Sequence, residues 1–170
     1  MTDASASIEP AAPADDNTLR VALATLENLL ARMKVSARVA AAWGEPDEPG
    51  GLRPLLLNVE GDDLSVLIGR KGETLAALQY ITRLIASKQI GAAVNAVVDV
   101  AGYKQRREEQ LRRLAQRMAD QVVQRGRAMA LEPMSASERR IIHLALRDHP
   151  SVRTESVGDG ERRKVTLIPK

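Results

Sequence analysis

Two short stretches of this chain combine residue types and spacings that can do chemistry. The first is Gly69-Arg70-Lys71-Gly72, set between the apolar run 64–68 and an apolar-periodic run that starts at Glu73. Glycines without a Cβ let a backbone turn sharply and lie against a ligand. Two cations sit between them, and the second glycine opens a helix whose N-terminal amides point at the same spot. Bare amides, two positive side chains and a helix N-terminus together favour a phosphate. The second stretch is on the predicted helix 136–147. There Arg139 and His143 stand four residues apart on one face, Arg147 continues the row and Arg140 lies beside it. A guanidinium and an imidazole so placed can hold a phosphate between them.

Other chemistries fit less well. No Lys-Ser or Lys-Thr follows the glycines at the spacing of a nucleotide-triphosphate loop. Two glycines without a strand leading into them do not make a dinucleotide fingerprint. Two histidines and no cysteine give a poor metal site. His143 has no neighbouring nucleophile for acyl transfer, and no carboxylate cluster suits two-metal nuclease chemistry. No cofactor is expected and no enzyme activity. The remaining competitors are an ordinary turn for the glycine loop and a solvated surface for the arginines.

Composition narrows the ligand. The chain of 170 residues has no cysteine and no phenylalanine, and its aromatics are Trp43, Tyr80 and Tyr103. Folds that stack bases on several aromatic side chains therefore do not fit, and contacts to a nucleic-acid backbone do. Net charge is +3, distributed unevenly: residues 1–60 hold five Lys/Arg against nine Asp/Glu, whereas residues 101–170 hold sixteen against nine. A basic C-terminal part suits a polyanionic partner. The first residues are acidic and rich in Ala, Pro and Ser, without the basic and apolar regions of a signal peptide, and are expected to be disordered. No apolar run is long enough to span a bilayer, and a cytoplasmic location is expected.

The elements that must position these residues follow from periodicity. Residues 18–33 read as a helix, 35–43 and 53–60 as a hairpin of strands around the loop 44–51, and about 62–68 as a short helix before the glycine loop. Residues 73–87 form a helix with Leu75, Leu78, Ile81 and Ile85 on one face, and 94–100 form a strand. This α-β-β-α-α-β order, with the glycine pair between two helices, is the arrangement of a KH domain, whose GxxG loop clamps a nucleotide backbone. Residues 103–126 form a long basic helix. Its apolar stripe is Leu111, Leu114, Ala115, Met118 and Val122, with Arg106, Arg113 and Arg117 opposite and i,i+4 pairs Glu108–Arg112 and Glu109–Arg113. A short strand over 127–131 follows. Ser135 and Glu138 form a capping box for the helix running to about Arg147, with Ile141, Ile142, Ala145 and Leu146 toward the core. Strands 151–157 and 162–168 close the chain around Gly158-Asp159-Gly160.

The segments GDDLSVLIGRKG and LEPMSASERRIIHLAL resemble the two halves of the bacterial Jag (KhpB) family, a KH domain followed by an R-three-H domain. The resemblance covers about residues 18–170. It implies an α+β protein: a disordered segment 1–17, a type II KH domain over 18–102 and a small R-three-H domain over 103–170, joined by the long basic helix. It implies a nucleic-acid-binding role for Gly69, Arg70, Lys71 and Gly72, with Leu67 and Ile68 as an apolar platform, and for Arg139 and His143. Arg140 and Arg147 are added from helical geometry. The implied function is binding of single-stranded RNA, as an RNA chaperone or post-transcriptional regulator, with single-stranded DNA left open. The implied alternative is a protein-interaction scaffold with a small single-KH protein, KhpA, linked to cell elongation and envelope synthesis. Some family members carry an additional N-terminal domain, whereas here about seventeen residues precede the first helix.

Overall fold

The structure is a computed structural model that describes residues 16–46 and 51–170; residues 1–15 of the expected N-terminal segment and 47–50 of the expected loop lie outside the described residues. The chain divides into two compact units, Met1–Tyr103 and Lys104–Lys170.

In the first unit the order is α1 (Asp16–Arg32), β1 (Arg38–Trp43), β2 (Leu55–Glu60), α2 (Ser65–Ile68), α3 (Glu73–Ile90) and β3 (Ala96–Val100). This is the α-β-β-α-α-β order of a type II KH domain. β2 lies in the middle of the sheet, antiparallel to β1 with Arg38 opposite Glu60, and parallel to β3 with Leu55 opposite Ala96. A parallel pair needs a long crossover, and α2, the glycine turn and α3 supply it. Alternation puts Leu55, Leu57 and Val59 of β2 and Ala96, Val98 and Val100 of β3 on one fully buried face. α1 covers that face with Ala22, Leu26 and Leu30, and α3 with Leu75, Leu78 and Ala86. α3 also satisfies the outer edge of β3. The Val98 amide donates to Gln79 Oε1 at 3.1 Å, and Arg83 donates to the carbonyl of Ala96 and to Asn95 Oδ1.

The buried face of α3 differs from the expected one. It comprises Leu75, Leu78, Thr82 and Ala86, while Ile81 is 42% exposed and Ile85 half-buried. Thr82 is fully buried because its hydroxyl donates back to the Leu78 carbonyl at 2.7 Å. The helix start also differs: Asp16 and Asn17, placed in the disordered segment by composition, form its first turn.

In the second unit α4 (Tyr103–Arg125, its first residue belonging to the first unit) is followed by β4 (Met129–Ala130), α5 (Ala136–Ala145), β5 (Val152–Val157) and β6 (Lys164–Pro169). β6 lies centrally, antiparallel to β4 and β5. Leu111, Ala115, Ala119 and Val122 of α4 meet Ile142, Leu146, Val152, Val165 and Leu167 in one core. Both expected ion pairs form on the outer side of α4, Glu108–Arg112 at 2.6 Å and Glu109–Arg113 at 3.8 Å. α5 stops at Ala145, two residues before the expected end, and Arg147 falls in the turn that follows. Pro150 disfavours helical backbone at His149, and the chain closes instead with His149 N–H donating to the Leu146 carbonyl at 3.2 Å. The strands are each shorter than read from sequence by up to three residues at one or both ends, β6 excepted, which shifts to 164–169.

Candidate nucleic-acid interface

The glycine loop is built from α2 outward. Leu64 and Leu67 are buried and anchor this single helical turn to the core. Leu67 is therefore a core residue with no surface to offer a base, which corrects its expected place in an apolar platform; Ile68 beside it is half-buried. Gly69 then adopts φ 68°, ψ −170°, a region of backbone space that is essentially glycine's alone. A Cβ there would also lie 2.1 Å from Thr74 Oγ1. The Gly69 amide donates to the Ser65 carbonyl at 3.0 Å, closing α2. Arg70 is exposed and Lys71 half-buried, the latter at φ 51°. Gly72, at φ 82°, is the N-cap of α3 and places no side chain over the helix end. Its α-carbon lies against the Tyr103 ring, so that a Cβ would come within 2.9 Å of Cε1. Two cations and the open start of an 18-residue helix thus share one end. Glu73 adds an acidic side chain in the first turn of α3.

The second cluster begins with the cap of α5. The Glu138 amide donates to Ser135 Oγ, and the Ser135 amide donates to Glu138 Oε2, at 3.3 and 3.2 Å. The other Glu138 oxygen accepts from Arg107 Nε of α4 at 2.8 Å, and Glu138 is only 7% exposed. Arg139 donates through Nη1 to the Met134 carbonyl at 2.9 Å, which fixes its guanidinium beside the start of the helix.

His143 sits one turn further on. It is half-buried, not on an open face, because β5 lies against it. Its Nδ1 is 2.7 Å from Thr154 Oγ1 and its Nε2 is 2.8 Å from Ser156 Oγ. Burial, and secondarily the charge of Arg139, hold its pKa below the usual 6.5. The imidazole is therefore neutral at pH 7, and the positive charge of the cluster comes from arginine. Arg139, Arg140, His143, Leu144, Arg147 and Ser156 line one open concavity of about 370 Å³. The four residues expected at this site are brought together. Thr154 and Ser156 were missed, although strand alternation puts both on the face of β5 that carries buried Val152.

Among the described residues no group of three His, Cys, Asp or Glu side chains could hold a metal ion, and no helix is long and apolar enough to cross a membrane.

Comparison with known proteins gives a consistent picture. Residues 46–100 match the KH domain of the KhpA/KhpB family, and residues 109–169 match the R-three-H domain family. The chain is 34% identical over 149 residues to the RNA-binding protein KhpB of Clostridium symbiosum, an alignment covering 88% of this chain and 65% of that protein. It is 37% identical over 115 residues to the RNA-binding protein KhpB of Bacillus subtilis, covering 66% and 55%. It is 35% identical over 117 residues to the RNA-binding protein KhpB of Lactiplantibacillus plantarum, covering 69% and 36%. The chain spans less than two thirds of the length of each of these relatives.

Proposed function

This chain belongs to the KH–R-three-H family of the KhpB proteins, and from that premise we propose that it binds single-stranded RNA, without catalysis, through two backbone grips. The observation that carries this reading is the glycine loop. Gly69 and Gly72 hold conformations that keep side chains away from the start of α3, with Arg70 and Lys71 between them. A phosphate there meets helix amides and two cations at once. The α5–β5 concavity is the second grip, with Arg139, Arg140 and Arg147 supplying charge. Gripping phosphates rather than reading base edges suits an RNA chaperone or post-transcriptional regulator acting in the cytoplasm, and a grip of that kind accepts single-stranded DNA as well. The test is the double variant Arg70→Asp/Lys71→Asp. It should keep the far-ultraviolet spectrum and melting temperature of the wild type and lose most affinity for a short single-stranded RNA. Wild-type affinity in that variant would show that the glycine loop does not grip the RNA.

A second reading, a scaffold for a small single-KH protein of the KhpA kind, is favoured by one observation. α3 exposes Tyr80, Ile81 and Leu84 on adjacent turns, at 66%, 42% and 57% exposure. Apolar side chains grouped this way suit a protein partner. Leu84→Asp should abolish co-elution with such a partner while leaving RNA affinity unchanged.

A further inference from the structure

The hydroxyls on either side of His143 have no part in the two grips as described. A neutral imidazole carries one N–H donor and one bare acceptor nitrogen, while a hydroxyl has one proton to donate and lone pairs to accept with. With Thr154 Oγ1 at Nδ1 and Ser156 Oγ at Nε2, two arrangements satisfy the row. In one, Nδ1–H donates to Thr154 and Ser156 donates its proton to Nε2, so that Ser156 offers only lone pairs outward. In the other, Thr154 donates to Nδ1, Nε2–H donates to Ser156, and the Ser156 proton is free to point away from the ring.

Ser156 lines the concavity and Thr154 does not. The charged side chains lining it are Arg139, Arg140 and Arg147, so it draws an anion. Arg153 and Glu155 alternate to the opposite face of β5. Phosphate oxygens accept hydrogen bonds, and only the second arrangement has a donor to give them. Resting on the RNA-binding reading above, we propose that the Ser156 hydroxyl donates to a backbone phosphate of the bound strand, and that His143 is the positioning residue that aims it. The protons then run one way, from Thr154 to His143 to Ser156 to the phosphate, and each bond of such a chain polarises the next. Both ring nitrogens are occupied, so the histidine acts through Ser156 and not as a cation on the phosphate. Ser156 becomes a ligand contact contributed by a strand, opposite the arginines contributed by α5 and the turn after it.

The experiment uses the full chain, a fluorescein-labelled single-stranded RNA oligonucleotide and a salt series. Ser156→Ala should weaken binding about tenfold with no change in salt slope, because a neutral hydroxyl releases no counterion. Ser156→Thr, which keeps the hydroxyl, should restore most of the affinity. Arg139→Gln/Arg147→Gln should lower both affinity and slope; wild-type binding by that variant would remove the concavity from the underlying reading, whereas failure of Ser156→Ala alone overturns only the hydroxyl contact. Nitrogen-15 spectra of the imidazole in a His149→Gln background supply the second readout. RNA should drive His143 to the Nε2–H form. Wild-type affinity in Ser156→Ala, or an Nδ1–H ring in the RNA complex, would overturn the proposal.

Discussion

Glu138 closes its own helix cap with one carboxylate oxygen and accepts from Arg107 of α4 with the other, at 2.8 Å. One buried side chain therefore sets both where α5 begins and how it lies against α4. Arg139 is the next residue, so its place in the concavity depends on that lock. Glu138→Ala should cost about 2–3 kcal/mol, combining a lost cap with an unpaired, partly buried guanidinium. Glu138→Gln keeps an acceptor for the amide and should cost less. Urea denaturation of the two variants checks the order, and equal losses would contradict it.

The glycine loop gives a paired prediction. Gly91 and Gly69 both have left-handed φ, at 78° and 68°, but a Cβ at Gly91 meets nothing within 4 Å while one at Gly69 strikes Thr74. Gly91→Ala should lose about 1 kcal/mol from backbone conformation alone and bind RNA normally. Gly69→Ala should lose more stability and most of the affinity contributed by the loop. Thermal melts and anisotropy titrations on the same samples separate the two effects.

Acid should weaken the fold through His143. Its folded-state pKa lies below 6.5, so the unfolded chain binds a proton more readily than the native one. The stability this group contributes is fully present above pH 6.5 and is lost as pH falls through 6.5 toward the folded value. Between about pH 7.5 and about pH 5.5, the urea midpoint of the wild type should therefore fall further than that of His143→Gln. Parallel curves would show that the half-buried His143 imidazole is not the titrating group.

The sequence made the helices, the strands and their order legible, because 3.6- and 2-residue periodicities are local. The capping box at Ser135 and Glu138 and the α4 ion pairs were readable for the same reason. Burial was read less well wherever polarity and size compete. Ile81 looks like core and Thr82 like surface, yet Thr82 can spend its hydroxyl on its own helix and Ile81 cannot move to the buried side. Leu67 looked available to a ligand because a one-turn helix has no periodicity to reveal its inward side. The partners of His143 depend on which strand lies beside α5, a tertiary fact. The sequence named Arg139 and His143 but not the hydroxyls that occupy the imidazole.

In the proposed binding mode, two separate sets of cations neutralise phosphates of one kind of strand. It is tested most directly by titrating a short single-stranded RNA across a salt series with the wild type, Arg70→Asp/Lys71→Asp and Arg139→Gln/Arg147→Gln. Each phosphate contact on a single strand contributes about 0.7 to the slope of log affinity against log salt. The wild-type slope should be steep, reduced in each double variant and reduced further when the two are combined. A slope unchanged in all three variants, or RNA affinity indifferent to salt, would contradict it.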